Sequence, residues 1–529
     1  PPPPLLPFGS PPKFEIGEGK SCRRTLARST GAAPAWSAFP LPSSFFFSPG
    51  APEEEAPRPL RLKLESGHSS CCRFLALASE SRGRRRRGGG GGGGGPGAGG
   101  RGMATAGAGA AAATAAGAAV EEERWRFGEG VPFGDPYWYQ GGRSPYYGDS
   151  HRAFRARVRA FVDEELLPHV HEWDEKGEHD EALREKAYRS GLLGSTWPAE
   201  HGGTPPEGFD AFHDLILVDE LSRCGAGGVL WSVFFSFSIA LPPVLIAGSP
   251  EMRARVARPV ITGKKIMCLA VSEPYVGSDV ANLRCSAEKR GDHYVVNGEK
   301  KWITSGCKAD YFTVAVRTGG SGARGISLLL VERGMPGVKT TRMQTSGWWI
   351  SNTAYVTLDN VKVPTSNLIG AENEGFRLIM HNFNHERFVL AAMANRYARV
   401  CLEEAVKYAR QRRTFGKRLA DHQVLRHKVA DMAGQVECVH AFLEQIAYQM
   451  REGAPESVVG APIALAKVQA TICMEMSARE AAQIMGGNAY TRGGKGEKVE
   501  RLYREVRVNA IGGGSEEILR DLAMKLSKL

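Results

Sequence analysis

The sequence predicts an α+β protein in three successive parts: an N-terminal α-helical domain, a middle β domain of the small barrel or sandwich kind and a C-terminal four-helix bundle. Three observations carry this. Apolar residues recur at helical spacing over 150–263. Short β-rich segments divided by turn residues replace that pattern from Lys264. Long helical periodicity then returns after Gly375. The expected boundaries are a low-complexity leader over 1–148, helical domain 149–264, β domain 265–373 and bundle 374–529.

In the first helical part, Ser150 is the expected N-cap of a helix carrying Phe154, Val158, Phe161 and Val162. Further helices are expected over 181–190, ending near Gly191, and over 210–224. Residues 224–250 contain no charge, but Ser232, Ser236, Ser238 and the Pro242-Pro243 pair argue for a buried core helix with a break, not a membrane span. Strands are expected over 266–271, 284–289, 293–297, 301–304, 312–317, 326–331 and 354–358. Arg290-Gly291-Asp292 and Asn297-Gly298 are the turn signals between them; the strand spacing suits a small barrel or sandwich. The long helices of the bundle are expected over 376–411, 422–452, 462–485 and 515–528.

The leader differs from the rest. The net charge of +11 is concentrated before Met103, where 15 Lys and Arg face 7 Asp and Glu. The globular part is therefore nearly balanced, and no nucleic-acid surface is implied. The leader opens on Pro1, holds the run Arg84 to Arg87 and a long glycine run, and lacks periodic apolar residues. It reads as disorder, or as upstream sequence outside the native protein, and its acidic residues argue against a transit peptide. Ten cysteines without a CxxC pair exclude a zinc or disulfide framework and favour a reducing compartment. No metal site is expected, and no Gly-x-Gly-x-x-Gly follows a strand, so a Rossmann site is not indicated.

Four blocks carry chemistry. Residues 268–279 read CLAVSEPYVGSD; Leu269, Ser272, Gly277 and Ser278 lie where a strand enters a loop whose hydroxyls and amides can approach a flavin or pyrophosphate, or form an ordinary polar turn. Residues 301–306 read KWITSG; Trp302 offers a flat surface and Thr304 a hydroxyl, unless the Trp is simply buried. Residues 412–416 read RRTFG, arginine with an aromatic, which suits a phosphate beside an adenine or a solvated basic helix end. Residues 483–488 read QIMGGN, two glycines that end a helix or admit a cofactor to the backbone.

In order and spacing these blocks, with WPAEHGG at 197–203 and DNVKVP at 359–364, resemble the acyl-CoA dehydrogenase family over 150–529. The resemblance implies FAD between barrel and bundle, an acyl-CoA substrate, and a homotetramer or homodimer. Leu269, Ser272, Gly277, Ser278, Trp302, Ile303 and Thr304 would then surround the flavin and pyrophosphate. Arg412, Thr414, Phe415, His422, Gln423, Gln483, Gly486 and Gly487 would reach FAD on a neighbouring subunit, and Ser515 and Glu516 would lie near FAD. The sequence departs from the family by about three extra residues within 493–498.

It also departs at the base. Many members carry the catalytic glutamate in a Tyr-Glu-Gly-Thr segment, whereas here Gly512-Gly513-Gly514-Ser515 stands there. The isovaleryl and long-chain branches place their base near the start of a bundle helix, before an arginine. Here Asn384-His385-Glu386-Arg387-Phe388 matches. That resemblance makes Glu386 the base, with Ser278, Asn384, Arg387, Gly513 and Gly514 near the substrate. Glu516 and Glu517 read as helix-start residues, His385 as facing away, and His381 as structural. The implied reaction is FAD-dependent α,β-dehydrogenation of an acyl-CoA to trans-2-enoyl-CoA in fatty-acid or branched-chain oxidation. The acceptor would be an electron-transfer flavoprotein or O₂. Gly512, in place of a tyrosine, suggests room for branched acyl groups. An acyl-CoA oxidase and a non-catalytic FAD or acyl-CoA binding protein are the alternatives. The final Ser527-Lys528-Leu529 reads as a peroxisomal address, with the mitochondrial matrix as the alternative location.

Overall fold

The structure is a computed structural model that describes residues 130–528. The leader before residue 130, and Leu529 of the Ser-Lys-Leu tripeptide, lie outside the described residues.

Ordered packing begins earlier than the expected boundary at 148. Val131, Trp138, Tyr139 and Tyr147 are buried. Trp138 stacks on Tyr147 at 3.9 Å between centroids, and Arg155 sits 4.5 Å from the Tyr139 ring centroid. Asp135 accepts from Arg159 at 2.8 Å and Arg396 at 3.1 Å, tying the segment to the bundle. These aromatics have no period, so their burial leaves no pattern in the sequence.

The helical domain contains α1 (Asp149–Phe161), α2 (Val170–Lys176), α3 (Leu183–Arg189), α4 (Ala211–Leu221), α5 (Gly227–Leu230), α6 (Ser236–Ala240), α7 (Pro242–Ala247) and α8 (Pro250–Ile261). The expected N-cap at Ser150 is corrected. Gly148 precedes α1, with its N–H donated to His151 Nδ1 at 3.0 Å, and Ser150 Oγ instead donates to Glu207 O. Among the described residues two stretches, Gly227–Ala247 and Glu456–Ala489, are long and apolar enough to cross a membrane, and both are mostly buried within the protein. They are core helices, and Pro242-Pro243 starts a new helix in the first of them.

The β domain is one sheet of eight strands: β1 (Met267–Ala270), β2 (Ser286–Arg290), β3 (His293–Ile303), β4 (Tyr311–Arg317), β5 (Ile326–Glu332), β6 (Val338–Arg342), β7 (Ala354–Pro364) and β8 (Leu368–Ile369). Their order is β6-β7-β3-β2-β4-β5-β8, with β1 parallel on β4. Cys268, Ala287, Val296, Val314, Leu329 and Val356 share one core, flanked by Val338 of β6 and Leu368 of β8. Every strand contributes, so the sheet wraps around its own interior as a barrel. Alternation on β5 sends Leu329 and Val331 inward and Ile326, Leu328 and Leu330 toward the helices. The expected turn at Asn297-Gly298 is corrected: β3 runs straight through it, with its register on β7 shifting between Val296 and Gly298. A Cβ on Gly298 would lie 2.7 Å from Cys285 Cα, so this glycine permits close strand approach.

The C-terminal part holds α9 (Gly375–Gln411), α10 (Gln423–Arg451), α11 (Glu456–Met485), α12 (Glu497–Ile511) and α13 (Glu516–Leu526). α9 to α12 form the bundle. α13 covers α11, with Leu519 and Ala523 against Ala464 and Val468. α12 was not expected from the sequence, although its buried Val499, Leu502 and Val506 are helically spaced. Its lead-in is a short 3₁₀ turn over Gly494–Gly496, within the 493–498 stretch where the extra residues are expected.

Candidate active site

α9 passes the helical domain before it enters the bundle. Asn382 donates to Ile239 O at 2.7 Å, and His385 pairs with Asp214 of α4 at 2.7 Å. Successive helix positions are about 100° apart, so Glu386 faces a different side from His385. It is 9% exposed, and its carboxylate has no hydrogen bond or ion pair among the described residues. Burial pushes its pKa from 4.5 up to about 7, against the opposing charges of Arg387, Lys467 and His385. His385 lies above its usual value: burial lowers it, but Asp214 more than compensates.

The glycine turn between α12 and α13 lies on this carboxylate. A Cβ on Gly513 would be 3.9 Å from Glu386 Oε1 and 2.6 Å from Leu390 Cδ1. Gly513 has φ +67° and Gly514 φ +115°, values that suit glycine. Two cations hold the turn. Arg387 Nε donates to Gly513 O at 3.0 Å, and its Nη1 to Asn384 Oδ1 at 3.2 Å. Lys467 Nζ donates to Ala510 O at 2.7 Å and Gly514 O at 2.9 Å. Asn384, Glu386, Arg387, Gly513 and Gly514 are thus brought together as expected. Ser515 precedes α13, with Glu516 and Glu517 in its first turn, and Glu516 faces Arg520. The two glutamates are helix-start residues.

A second cluster lies at the mouth of the barrel. Lys301 N–H donates to Ser272 O at 2.9 Å, joining the 268–279 loop to the Trp302 segment. Beneath it a buried ion pair links Lys300 to Glu273 at 2.8 Å, and Glu273 also accepts from the N–H groups of Arg284 and Cys285. Gly277 and Ser278 project beyond this pinned base and are exposed, while Leu269, Ser272 and Thr304 are half-buried. Trp302 is 50% exposed at φ +62°, a conformation that is strained for an aromatic residue and found at ligand sites. The Ile303 side chain lies in the barrel core, because strand alternation turns it away from Trp302, so only its backbone is left to face a cofactor beside Trp302.

The third cluster is elsewhere. Arg412 lies about 39 Å along α9 from Glu386 at ~1.5 Å per residue. Around this end gather Thr414, the exposed Phe415, His422 and Gln423, the Phe415 and His422 rings 6.5 Å apart. Asn488 Nδ2 donates to Tyr408 OH at 3.0 Å, bringing the turn after Gln483, with the exposed Gly486 and Gly487, to the same end.

The donor set fits FAD on structural grounds. Ser305 Oγ, beside Thr304, and His422 Nε2, beside Gln423, are buried polar atoms without a partner among the described residues. The half-exposed Trp302 ring and the exposed Phe415 ring offer flat faces for a flavin and an adenine. Lys467 and Asp214 were missed from the sequence. A lysine amid the buried Ala464, Ala466 and Val468 was the available signal for the first, while Asp214 left none.

Comparison with known proteins agrees with this architecture. The family models "Acyl-CoA dehydrogenase, N-terminal domain", "middle domain" and "C-terminal domain" match residues 148–264, 268–361 and 373–526. An acyl-CoA dehydrogenase of Alternaria alternata, AFT10-1, is 42% identical over 415 residues, covering 75% of this chain and 96% of its own. The mitochondrial long-chain specific acyl-CoA dehydrogenase of Sus scrofa is 33% identical, covering 71% of this chain and 86% of its own. A crystal structure described as a putative acyl-CoA dehydrogenase from Mycobacterium smegmatis superposes with TM-score 0.69 at 39% identity, over 73% of this chain and 99% of that one. With all three domain models matched in order and such relatives covered almost end to end, the chain belongs to the acyl-CoA dehydrogenase family and is an FAD-dependent oxidoreductase that dehydrogenates acyl-CoA thioesters.

Proposed function

We propose that this enzyme converts fatty or branched-chain acyl-CoA to trans-2-enoyl-CoA, with Glu386 as the base that removes the α-proton. The observation that carries this is Glu386 itself: a buried, unpartnered carboxylate at about 7, against a turn where Gly513 can supply no base. Near neutral pH such a group is ionised often enough to accept a proton and basic enough to hold it. The thioester carbonyl meets the N–H of Gly513, which has no acceptor among the described residues, and this stabilises the developing enolate. Arg387 keeps that turn in place through Gly513 O. FAD, when bound, supplies the acceptor for the β-hydride. An acyl chain seated against Glu386 would exclude water and raise the proton affinity of the carboxylate further.

Room for branched groups is inferred from Gly512, whose φ of −60° is ordinary and which carries no side chain. The long-chain specificity in the name of the Sus scrofa relative supports a fatty acyl chain. A homo-oligomer is inferred from two features. The Arg412–Phe415 cluster is too distant to serve the Glu386 site of its own chain. Val458, Leu465 and Ile472 recur every seven residues along α11 as exposed apolar side chains, a stripe that a second copy would cover. Electrons would pass on to an electron-transfer flavoprotein.

Anaerobic mixing of the purified flavoprotein with a panel of acyl-CoAs tests the reading. Bleaching of the oxidised flavin by wild type but not by Glu386→Gln is expected. No bleaching with any acyl-CoA would reject it, and rapid H₂O₂ formation in air would replace the flavoprotein acceptor with O₂.

A further inference from the structure

We propose that Lys467 is a positioning residue of the acyl-CoA site, holding the 510–514 backbone so that the Gly513 N–H meets the thioester carbonyl. This rests on Glu386 as the base. Lys467 is fully buried among apolar residues of α11, where an ammonium is costly unless its donors are used. No carboxylate lies within ion-pair distance among the described residues; both of its bonds go to backbone carbonyls, Ala510 O in the last turn of α12 and Gly514 O at the end of the glycine turn. Arg387 takes the carbonyl between them, Gly513 O. Two cations on two helices thus draw the carbonyls of one short turn to themselves, while the N–H groups of Gly513 and Gly514 have no acceptor among the described residues.

A helix end alone does not require this arrangement, since water or a cap satisfies terminal carbonyls. Three adjacent glycines form a turn with few intrinsic restraints, and a carbonyl donor must be placed to within a fraction of an ångström. The clamp supplies what the glycines lack. Burial lowers the Lys467 ammonium to about 8, with Glu516 and then Glu386 opposing the shift, so the charge is retained at neutral pH.

The test uses the FAD-loaded enzyme carrying Lys467→Met or Lys467→Gln, with flavin content and thermal midpoint as controls. Two probes of one chain length are titrated by flavin absorbance: a 2-enoyl-CoA and the S-alkyl-CoA thioether that lacks the carbonyl oxygen. Lys467→Met is expected to bind the thioester about tenfold or more weaker relative to the thioether, and to lower kcat more than it raises KM, as loss of a carbonyl donor does. Lys467→Gln, which keeps two N–H donors, is expected to lose less in the same direction and serves alone if the methionine variant does not fold. Equal weakening of both probes, or unchanged selectivity, overturns the assignment. A wild type that no acyl-CoA reduces overturns Glu386 as the base along with it, whereas an active wild type with unselective variants overturns Lys467 alone.

Discussion

Replacing Glu386 with glutamine removes a carboxylate whose burial opposes folding. Its pKa rises from 4.5 to about 7, which amounts to about 3 kcal/mol at ~1.36 kcal/mol per unit. Because the folded value is the higher one, the cost is absent below the unfolded value, grows as pH rises from 4.5 toward 7, and is constant above. At an unfolding entropy of ~2.1 cal/mol/K per residue over the described chain, this is about 4 °C in Tm. Thermal unfolding of wild type and Glu386→Gln at pH 5 and pH 8.5 measures it directly. About a quarter of the cost is already present at pH 5, so the variant should gain about 3 °C on wild type between the two pH values, while losing roughly 10²–10⁴-fold in kcat/KM. Wild-type kcat/KM should fall on the acid side with a midpoint near pH 7, where the Glu386 carboxyl titrates. A stability difference independent of pH would refute the argument, since a glutamine differing only in packing would shift Tm equally at both values.

Three further outcomes are expected. Lys300→Met leaves Glu273 buried without its partner and should cost about 3–5 kcal/mol, with faster FAD loss from the loosened 268–279 loop; denaturant unfolding and flavin release measure both. Gly513→Ala forces a Cβ to 2.6 Å from Leu390 Cδ1 at positive φ and should cost about 1–3 kcal/mol together with at least tenfold in kcat, read by unfolding and steady-state assays. Arg412→Ala should lower FAD occupancy without shifting the acid limb of kcat/KM, because the residue lies at the far end of α9 from Glu386; flavin content and a pH profile separate the two.

Parts of this protein were legible because they rest on local periodicity or on residues adjacent in sequence. Phe154, Val158 and Phe161 mark α1, the Arg290-Gly291-Asp292 turn joins β2 to β3, and Glu386 sits beside the arginine that holds the glycine turn. Other parts were misread where a local signal had a non-local purpose. Asn297-Gly298 looked like a turn because glycine favours turns, yet it is there to let β3 cross Cys285. α12 was overlooked because its apolar positions are sparse among charges.

The sequence by itself determined the order of helical, β and helical parts, because patterning is a property of the chain; the vacancy at Gly513 and the proposal of Glu386 came from the resemblance of residues 512–515 and 384–388 to family segments. Only the tertiary structure decided that Glu386 is buried and unpartnered, that Lys467 and Arg387 converge on one turn from two helices, and that the Arg412 cluster lies far from the base. Burial and pairing depend on what distant segments bring to the same place, and desolvation, which sets the proton affinity of Glu386, exists only once the chain has closed around it.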